Sequence, residues 1–312
     1  MKDDLQNNHA LGDRILGKWA VVALAVLCVM IYSRCTDAGL EPSRITQPIP
    51  IDEYATWSPD GLWIAYSHIS VDLDDTTYPT GLYLIDTSGS NRRLLVAGFA
   101  SNPDWSPDGS WIAFASGAIF KLKPSGENLT TLFSVERAFF PSWSPDGRRI
   151  AFDTQYLDPR GAIAIWLVNS DGTGLRDISQ HGTGEWREPD WSPDGSRIVH
   201  LRYIGIGTEE IFVMDTLGLN PQRLTYNSEV DRDPRWSPDG TKIAWTHVAN
   251  GVGKIHIMNS DGSSQRELIE GSYPSWSPDS HQIVFTRWAQ TKDKATLWIS
   301  NRDGTGLKQV TR

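Results

Sequence analysis

The stretch Trp57-Ser58-Pro59-Asp60-Gly61 decides the fold, because the chain repeats it. The same letters, WSPDG, return four times and a sixth copy reads WSPDS; the copies begin at Trp57, Trp105, Trp143, Trp191, Trp236 and Trp276. Successive copies lie 38 to 48 residues apart. A period of this length is typical of an array of similar structural units.

Each copy is followed by the pattern expected for four short β-strands, which we call a, b, c and d. The motif closes strand a, because Pro presets the first corner of a tight turn and Gly supplies the positive φ that the turn requires. An apolar triplet such as Ile64–Tyr66 predicts strand b, and a second apolar run such as Leu82–Ile85 predicts strand c. A shorter run such as Gln222–Thr225 predicts strand d.

Strands b and c are apolar at successive positions, so both faces of each sheet should be covered. Radially stacked sheets meet this requirement, because every sheet packs between two neighbours. We therefore predict an all-β fold, a six-bladed β-propeller of four-stranded antiparallel blades preceded by one N-terminal apolar helix. The repeated Trp is predicted to pack between blades. Arg44–Gln47 and Leu307–Thr311 both resemble strand d, and the sequence leaves open which one completes the last blade.

The repeats resemble those of the TolB-type six-bladed propeller family. The likeness rests on WSPDG, on the following triplet and on a second element copied closely at Ile211–Asp215 and Ile255–Asn259; it covers about Arg44–Arg312. The chain departs from the pattern at Ser280, where Gly is expected, and at Ala55, where the other copies have Pro. Only the short segment 34–43 separates the apolar run 19–33 from the first repeat, so we expect the propeller without the extra N-terminal domain of TolB itself. The resemblance implies a cell-envelope binding scaffold with a protein or peptide partner, for example a lipoprotein.

An uncharged apolar run, 19–33, precedes the repeats, and Arg14 and Lys18 stand before it. Cations in this position keep the N-terminus in the cytoplasm and direct the following chain across the membrane. An uncleaved signal anchor and a signal peptide cleaved near Ala38 both remain open. The predicted division is a cytoplasmic n-region (1–18), a transmembrane anchor or signal h-region (19–33), a linker (34–43) and a TolB-like propeller (44–312). The propeller is expected outside the cytoplasm, in the periplasm or extracellular space.

The charge balance excludes nucleic acid as a main partner. The 312 residues contain 29 Lys and Arg against 38 Asp and Glu, a formal net charge of −9, with no basic stretch. Binding to a phosphate backbone needs clustered cations. Both cysteines, Cys28 and Cys35, precede the repeats, so the repeat region is not a disulfide scaffold. We expect a monomer.

The catalytic motifs that we searched for are absent. The chain has neither the G-x-S-x-G elbow of serine hydrolases nor the H-E-x-x-H pair of zinc proteases. We predict no catalytic residue, no cofactor and no metal site. The alternative is a metal-dependent polysaccharide lyase or hydrolase acting in the channel, with ligands from His68, His181 and His247, which we place in loops. His200 and His256 are predicted to pack, because other repeats carry aromatic residues there.

One rim of the channel is the candidate binding surface. Strand a lines the channel of a propeller, so the residue three before each repeated Trp should lie near the rim where strands d and a connect. These six positions share their geometry and differ in chemistry, which favours an asymmetric recognition surface, although residues that simply face water also vary. The predicted partner-binding residues are Tyr54, Asn102, Phe140, Trp186, Arg187, Glu188, Arg232, Asp233 and Tyr273.

Overall fold

All regular secondary structure in the described part of the chain is β-strand. The computed structural model describes residues 50–70, 77–134, 137–154, 157, 162–179, 185–205, 208–291 and 294–311. They all belong to one compact unit, Pro48–Arg312. The predicted apolar helix, the linker and the strand-like segment 44–47 lie outside the described residues. Within the described ranges no helix has the length and apolar character needed to span a membrane.

The strands follow one another in six sets of four, in which chain neighbours pair antiparallel. We number these sets units 1 to 6. Units 1 and 2 contain β1 Ile51–Trp57, β2 Trp63–Ile69, β3 Gly81–Asp86, β4 Arg93–Ala97, β5 Ser101–Trp105, β6 Ile112–Ala115, β7 Ile119–Leu122 and β8 Thr130–Phe133. Units 3 and 4 contain β9 Ala138–Trp143, β10 Arg149–Thr154, β11 Ala164–Asn169, β12 Arg176–Asp177, β13 Trp186–Trp191, β14 Arg197–Gly205, β15 Thr208–Asp215 and β16 Gln222–Arg223. Units 5 and 6 contain β17 Val230–Trp236, β18 Lys242–Ala249, β19 Val252–Asn259, β20 Arg266–Glu270, β21 Ser272–Trp276, β22 Gln282–Trp288, β23 Ala295–Asn301 and β24 Lys308–Gln309.

The C-terminal segment supplies the fourth strand of the last unit. Lys308 of β24 pairs with Ile299 of β23, so the segment Leu307–Thr311, one of the two candidates from the sequence, contributes this strand. The last unit also meets the first, because Ile51 of β1 pairs in parallel with Ala295 of β23. Thr286 of unit 6 adds a hydrogen bond from its hydroxyl to the Asp52 carbonyl oxygen at 3.2 Å.

The repeated tryptophans pack between neighbouring units, as predicted. Each one lies in a hydrophobic cluster that combines its own unit with the preceding one. Trp105, for example, shares its cluster with Leu84 of unit 1, and Trp57 of unit 1 shares one with Leu297 of unit 6. All six indoles are at most 8% exposed. The clusters therefore connect every unit to the one before it, including unit 1 to unit 6.

The turn after each Trp is held by its own side chains. In unit 1 the Ser58 hydroxyl donates to Asp60 at 2.5 Å and accepts the Trp63 amide at 2.9 Å, and Gly61 adopts a φ of 72°. Equivalent Ser–Asp pairs recur in the other five units. Ser280 takes the glycine position of unit 6 and has a φ of 61°. It therefore adopts a left-handed backbone conformation, which costs free energy in a residue that has a Cβ atom.

Candidate functional site

Strand a of every unit is interrupted by a β-bulge just before the Trp. The pairing of strands a and b shifts register there in all six units. The residue three before each Trp adopts a φ between 51° and 58°, and these residues are Tyr54, Asn102, Phe140, Glu188, Asp233 and Tyr273. A bulge re-aims the side chains around it, so it gives these predicted site residues a common backbone geometry.

The residues directly before the tryptophans line one cavity of about 160 Å³. They come from all six units and are Thr56, Asp104, Ser142, Asp190, Arg235 and Ser275. Tyr54, Asn102, Asp233 and Tyr273 line the same cavity, whereas Phe140 and Glu188 do not. Sequence reasoning missed the first group. Its signal was available, since the residue before each WSPDG copy varies as much as the residue three before it.

We call the six residues directly before the tryptophans the inner group. Two aspartates of this group accept hydrogen bonds from the backbone of the next unit. Asp104 Oδ2 accepts the Trp143 amide at 2.7 Å, and Asp190 Oδ2 accepts the Trp236 amide at 2.8 Å. Burial raises the pKa of Asp104 to about 7, and the nearby charge of Arg235 opposes that rise. The pKa of Asp190 is also raised by burial, again against the effect of Arg235. The cavity therefore contains carboxyl groups that would gain from a further positive charge.

Three aromatic rings meet beside the cavity. The centroid of the Tyr54 ring lies 4.2 Å from that of Tyr273 and 5.9 Å from that of Phe140. Tyr54 and Phe140 are half-buried, whereas Tyr273 is buried. These rings come from units 1, 3 and 6, so the structure brings together residues that are far apart in sequence. The partly exposed rings of Tyr54 and Phe140 offer apolar contact area to a partner.

A chain of carboxyl groups joins units 3, 4 and 5. Asp153 Oδ2 accepts the Glu188 amide at 2.8 Å, and Glu188 Oε2 accepts the Asp233 amide at 2.6 Å. Burial raises the pKa of all three groups, to about 7 for Asp153, and the neighbouring Asp233 charge adds to the rise at Glu188. Asp153 and Glu188 thus hold the bulges of the following units in place, and Glu188 and Asp233 are both buried.

The other predicted site residues have different surroundings. Trp186 is buried in the cluster between units 3 and 4, where its ring stacks on His200 at 4.7 Å. Arg187 and Arg232 are half-buried and form ion pairs with Glu185 at 2.5 Å and Glu209 at 3.3 Å. The two arginines can therefore contribute to a charged surface, whereas Trp186 is part of the core.

Two of the three histidines proposed as metal ligands are not in the loops where the sequence placed them. His68 lies in β2 and His247 in β18, not in loops, and each bonds an aspartate of its own strand a: Asp52 at 2.6 Å and Asp231 at 2.7 Å. His181 lies outside the described residues. Across the described ranges, no group of three or more His, Cys, Asp or Glu side chains is placed to hold a metal ion. His200 packs as predicted, and burial lowers its pKa to about 3.

Comparison with known proteins identifies relatives of this repeat array. A family model described as TolB beta propeller domain matches residues 125–312. The oligogalacturonide lyase of Pectobacterium atrosepticum is 25% identical over 166 residues, which span 44% of this chain and 42% of that relative. The chain thus spans under half the length of this curated relative.

Two solved structures share the fold. TolB from Acinetobacter baumannii superposes with a TM-score of 0.63 at 21% identity, covering 82% of this chain and 62% of that one. An oligogalacturonate lyase in complex with manganese superposes with a TM-score of 0.54 at 15% identity, covering 81% of this chain and 90% of the other. At such identities the likeness shows the β-propeller fold alone.

Proposed function

Because this chain belongs to the TolB beta propeller domain family, we propose that it is a non-catalytic scaffold that binds a protein or peptide partner. The family match and the shared fold support a binding scaffold in general. The more specific proposal is that a partner, such as a lipoprotein of the cell envelope, is recognised at the end of the channel where strand a begins. We also propose that the propeller lies outside the cytoplasm and that residues 19–33 attach it to the membrane.

The scaffold that we propose is a closed ring of six blades. Six tryptophan clusters, one at each boundary, support this number, because the cluster around Trp57 joins unit 1 to unit 6. The parallel bridge between Ile51 and Ala295 supports closure at the same boundary. A closed ring of repeated sheets leaves a central channel, and residues of all six units do line a common cavity.

One observation carries the binding proposal: equivalent positions around the cavity hold different chemistry. The residues three before each Trp are aromatic in units 1, 3 and 6 and polar or acidic in units 2, 4 and 5. The cavity lining therefore combines an aromatic pair, Tyr54 and Tyr273, with the polar residues Asn102 and Asp233. A rigid surface that is asymmetric in this way can select one partner in one orientation.

Selection of displayed random peptides on the full-length protein tests this proposal. We expect peptides of related sequence to be enriched, and we expect Phe140→Ala to weaken their binding about tenfold, because buried aromatic contacts dominate interface energies. Leu62→Ala is the control, since this exposed side chain belongs to the turn at the other end of strand a. Equal binding by wild type, Phe140→Ala and an unrelated protein would overturn the proposal.

A second candidate function is a metal-dependent polysaccharide lyase, which the sequence likeness to the oligogalacturonide lyase favours. Its candidate ligands are His68, His181 and His247, of which His68 already bonds Asp52 and His247 already bonds Asp231. Metal analysis of the purified protein separates the two candidates. A bound transition metal in stoichiometric amount, lost in His181→Ala, would favour the lyase; a metal content unchanged by His181→Ala and His247→Ala would exclude these ligands.

A further inference from the structure

The channel cavity is bordered by two buried polar atoms that lack hydrogen-bond partners among the described residues. These atoms are Asp233 Oδ2 and Asn102 Nδ2, on side chains that are only 3% and 6% exposed. Both residues line the 160 Å³ cavity. A buried donor or acceptor without a partner costs free energy, which a ligand that pairs with it would recover. The cavity thus has both an unused acceptor and an unused donor.

The charges around the cavity specify the sign of such a ligand. Three carboxyl groups, those of Asp104, Asp190 and Asp233, line the cavity with one guanidinium, that of Arg235. Asp104 and Asp190 are held by backbone amides of the following units, so they cannot turn away toward solvent without losing those bonds. Hydrogen bonds between a cationic donor and a carboxylate are stronger than neutral ones. A positively charged group therefore complements this cavity.

The shape of the site specifies a long group with an apolar stem. On every strand a, the residue three before the Trp comes earlier than the residue directly before the Trp. Tyr54 and Tyr273 therefore lie closer to the start of strand a than the level at which Asp104 and Asp190 lie. Tyrosine rings pack well against methylene groups and attract cations. A cavity of about 150 Å³ is known to hold benzene, so one of about 160 Å³ accepts roughly the bulk of one long side chain.

We propose that the cavity receives one lysine or arginine side chain of the bound partner. The methylene stem packs against Tyr54 and Tyr273, and the cationic head reaches Asp104, Asp190 and Asp233. The Asn102 amide donates to a carbonyl oxygen of the partner. This inference rests on the proposed binding function and adds to it the chemistry that the partner must present.

The experiment uses the full-length protein and the peptides enriched from the random library. The strongest peptide is synthesised with its basic residue and with methionine in its place, and both are titrated against each protein. With wild type, we expect the change to methionine to weaken binding about tenfold or more, because the lost hydrogen bonds involve charges. With Asp233→Asn and Asp104→Asn, we expect the two peptides to bind almost equally, which a double-mutant cycle quantifies.

Two controls keep the test interpretable. Asp261→Asn removes the same charge from an exposed turn of unit 5 and should preserve the discrimination between the two peptides. Asparagine at position 104 can still accept the Trp143 amide, and an unchanged melting temperature verifies that the variants fold. Calcium chloride, titrated alone, tests whether the cavity instead prefers a divalent ion.

The outcomes separate this inference from the binding function itself. Enriched peptides that share no Lys or Arg, or discrimination that survives in both cavity variants, would overturn the basic side chain while leaving the scaffold intact. A response to calcium without any preference for basic peptides would overturn it as well. A failure to enrich any peptide would count against the scaffold, and the inference would fall with it.

Discussion

The tryptophans and the residues just before them lie on the same six strands, yet the chain uses the two sets in opposite ways. The tryptophan is the same residue in every unit and fills an equivalent cluster at every boundary. The position before it holds Thr, Asp, Ser, Asp, Arg and Ser in turn. The repeated Trp therefore marks packing between units, and the variable position just before it gives each unit a different contribution to the cavity lining.

The difference has a physical origin in the bulge. Up to the bulge, strand a pairs regularly with strand b; beyond it, the register has shifted and the Trp turns into the boundary cluster. Neighbouring residues of one short strand thus serve two environments, one apolar and close-packed, the other polar. Changes to the tryptophans should therefore lower the free energy of unfolding, whereas changes to the carboxyl groups should alter its dependence on pH.

Trp191→Ala should destabilise the fold by about 3–5 kcal/mol. The indole is 5% exposed and lies in the cluster between units 3 and 4, so its removal leaves a cavity in addition to the lost apolar burial. The free energy of unfolding from urea denaturation measures this cost. The same change at the partly buried Trp111 is the control and should cost clearly less. Similar losses at both positions would contradict a special packing role for the repeated tryptophans.

Buried carboxyl groups in the cavity and in the chain that joins units 3, 4 and 5 should make the fold less stable as the pH rises from about 5 to 7. Burial raises the pKa of Asp104 and Asp153 to about 7, whereas both groups titrate near 4 when unfolded. In this interval the folded state retains protons that the unfolded state has released, so each pH unit upward favours unfolding. We expect each of the two groups to contribute a loss on the order of 1 kcal/mol per pH unit.

Urea denaturation at pH 5, 6 and 7 measures this dependence, and Asp153→Asn sharpens it. The amide cannot titrate, so the variant should lose less stability over the interval than wild type does. Asp194 in a WSPDG turn provides the contrast, because hydrogen bonds from Ser192 and Ser196 lower its pKa to about 2. Its titration therefore changes the stability of the fold only at pH values below this interval. Stability that stays level or increases from pH 5 to 7 would place the carboxyl groups in a more polar setting than the structure shows.

The sequence predicted the repeated layer well and the cavity layer only in part. The four strands per repeat, the turn at Asp60-Gly61 and the packing of the tryptophans follow from local pattern, because the same short motif recurs in every unit and meets similar surroundings there. The bulge does not follow from the pattern, since a positive φ at Tyr54 or Phe140 contradicts the preferences of those residues. Without the bulge, the side chains of Asp104, Asp190 and Arg235 could not be assigned to a shared cavity.

The burial of two of the predicted partner-binding residues could not be predicted for a related reason. The sequence shows Glu188 and Asp233 as charged residues, which are usually exposed. The structure buries both, because each bulge exposes a backbone amide that needs an acceptor and Glu188 supplies one for Asp233. Such a bond between residues 45 positions apart depends on how neighbouring sheets are arranged, which no local pattern encodes.

Unit 6 offers the finest test of the comparison, because Ser280 replaces the turn glycine there. Its left-handed backbone costs about 1 kcal/mol, but its hydroxyl accepts the Asp239 amide of unit 5 at 3.0 Å, which returns a similar amount. Ser280→Gly, which removes both contributions, should leave the free energy of unfolding within about 0.5 kcal/mol of wild type. Ser280→Ala keeps the strained backbone, loses the acceptor and should destabilise by about 1 kcal/mol. Equal stability of the two variants would mean that the left-handed backbone costs nothing, and a Ser280→Ala variant as stable as wild type would mean that the hydroxyl bond contributes nothing.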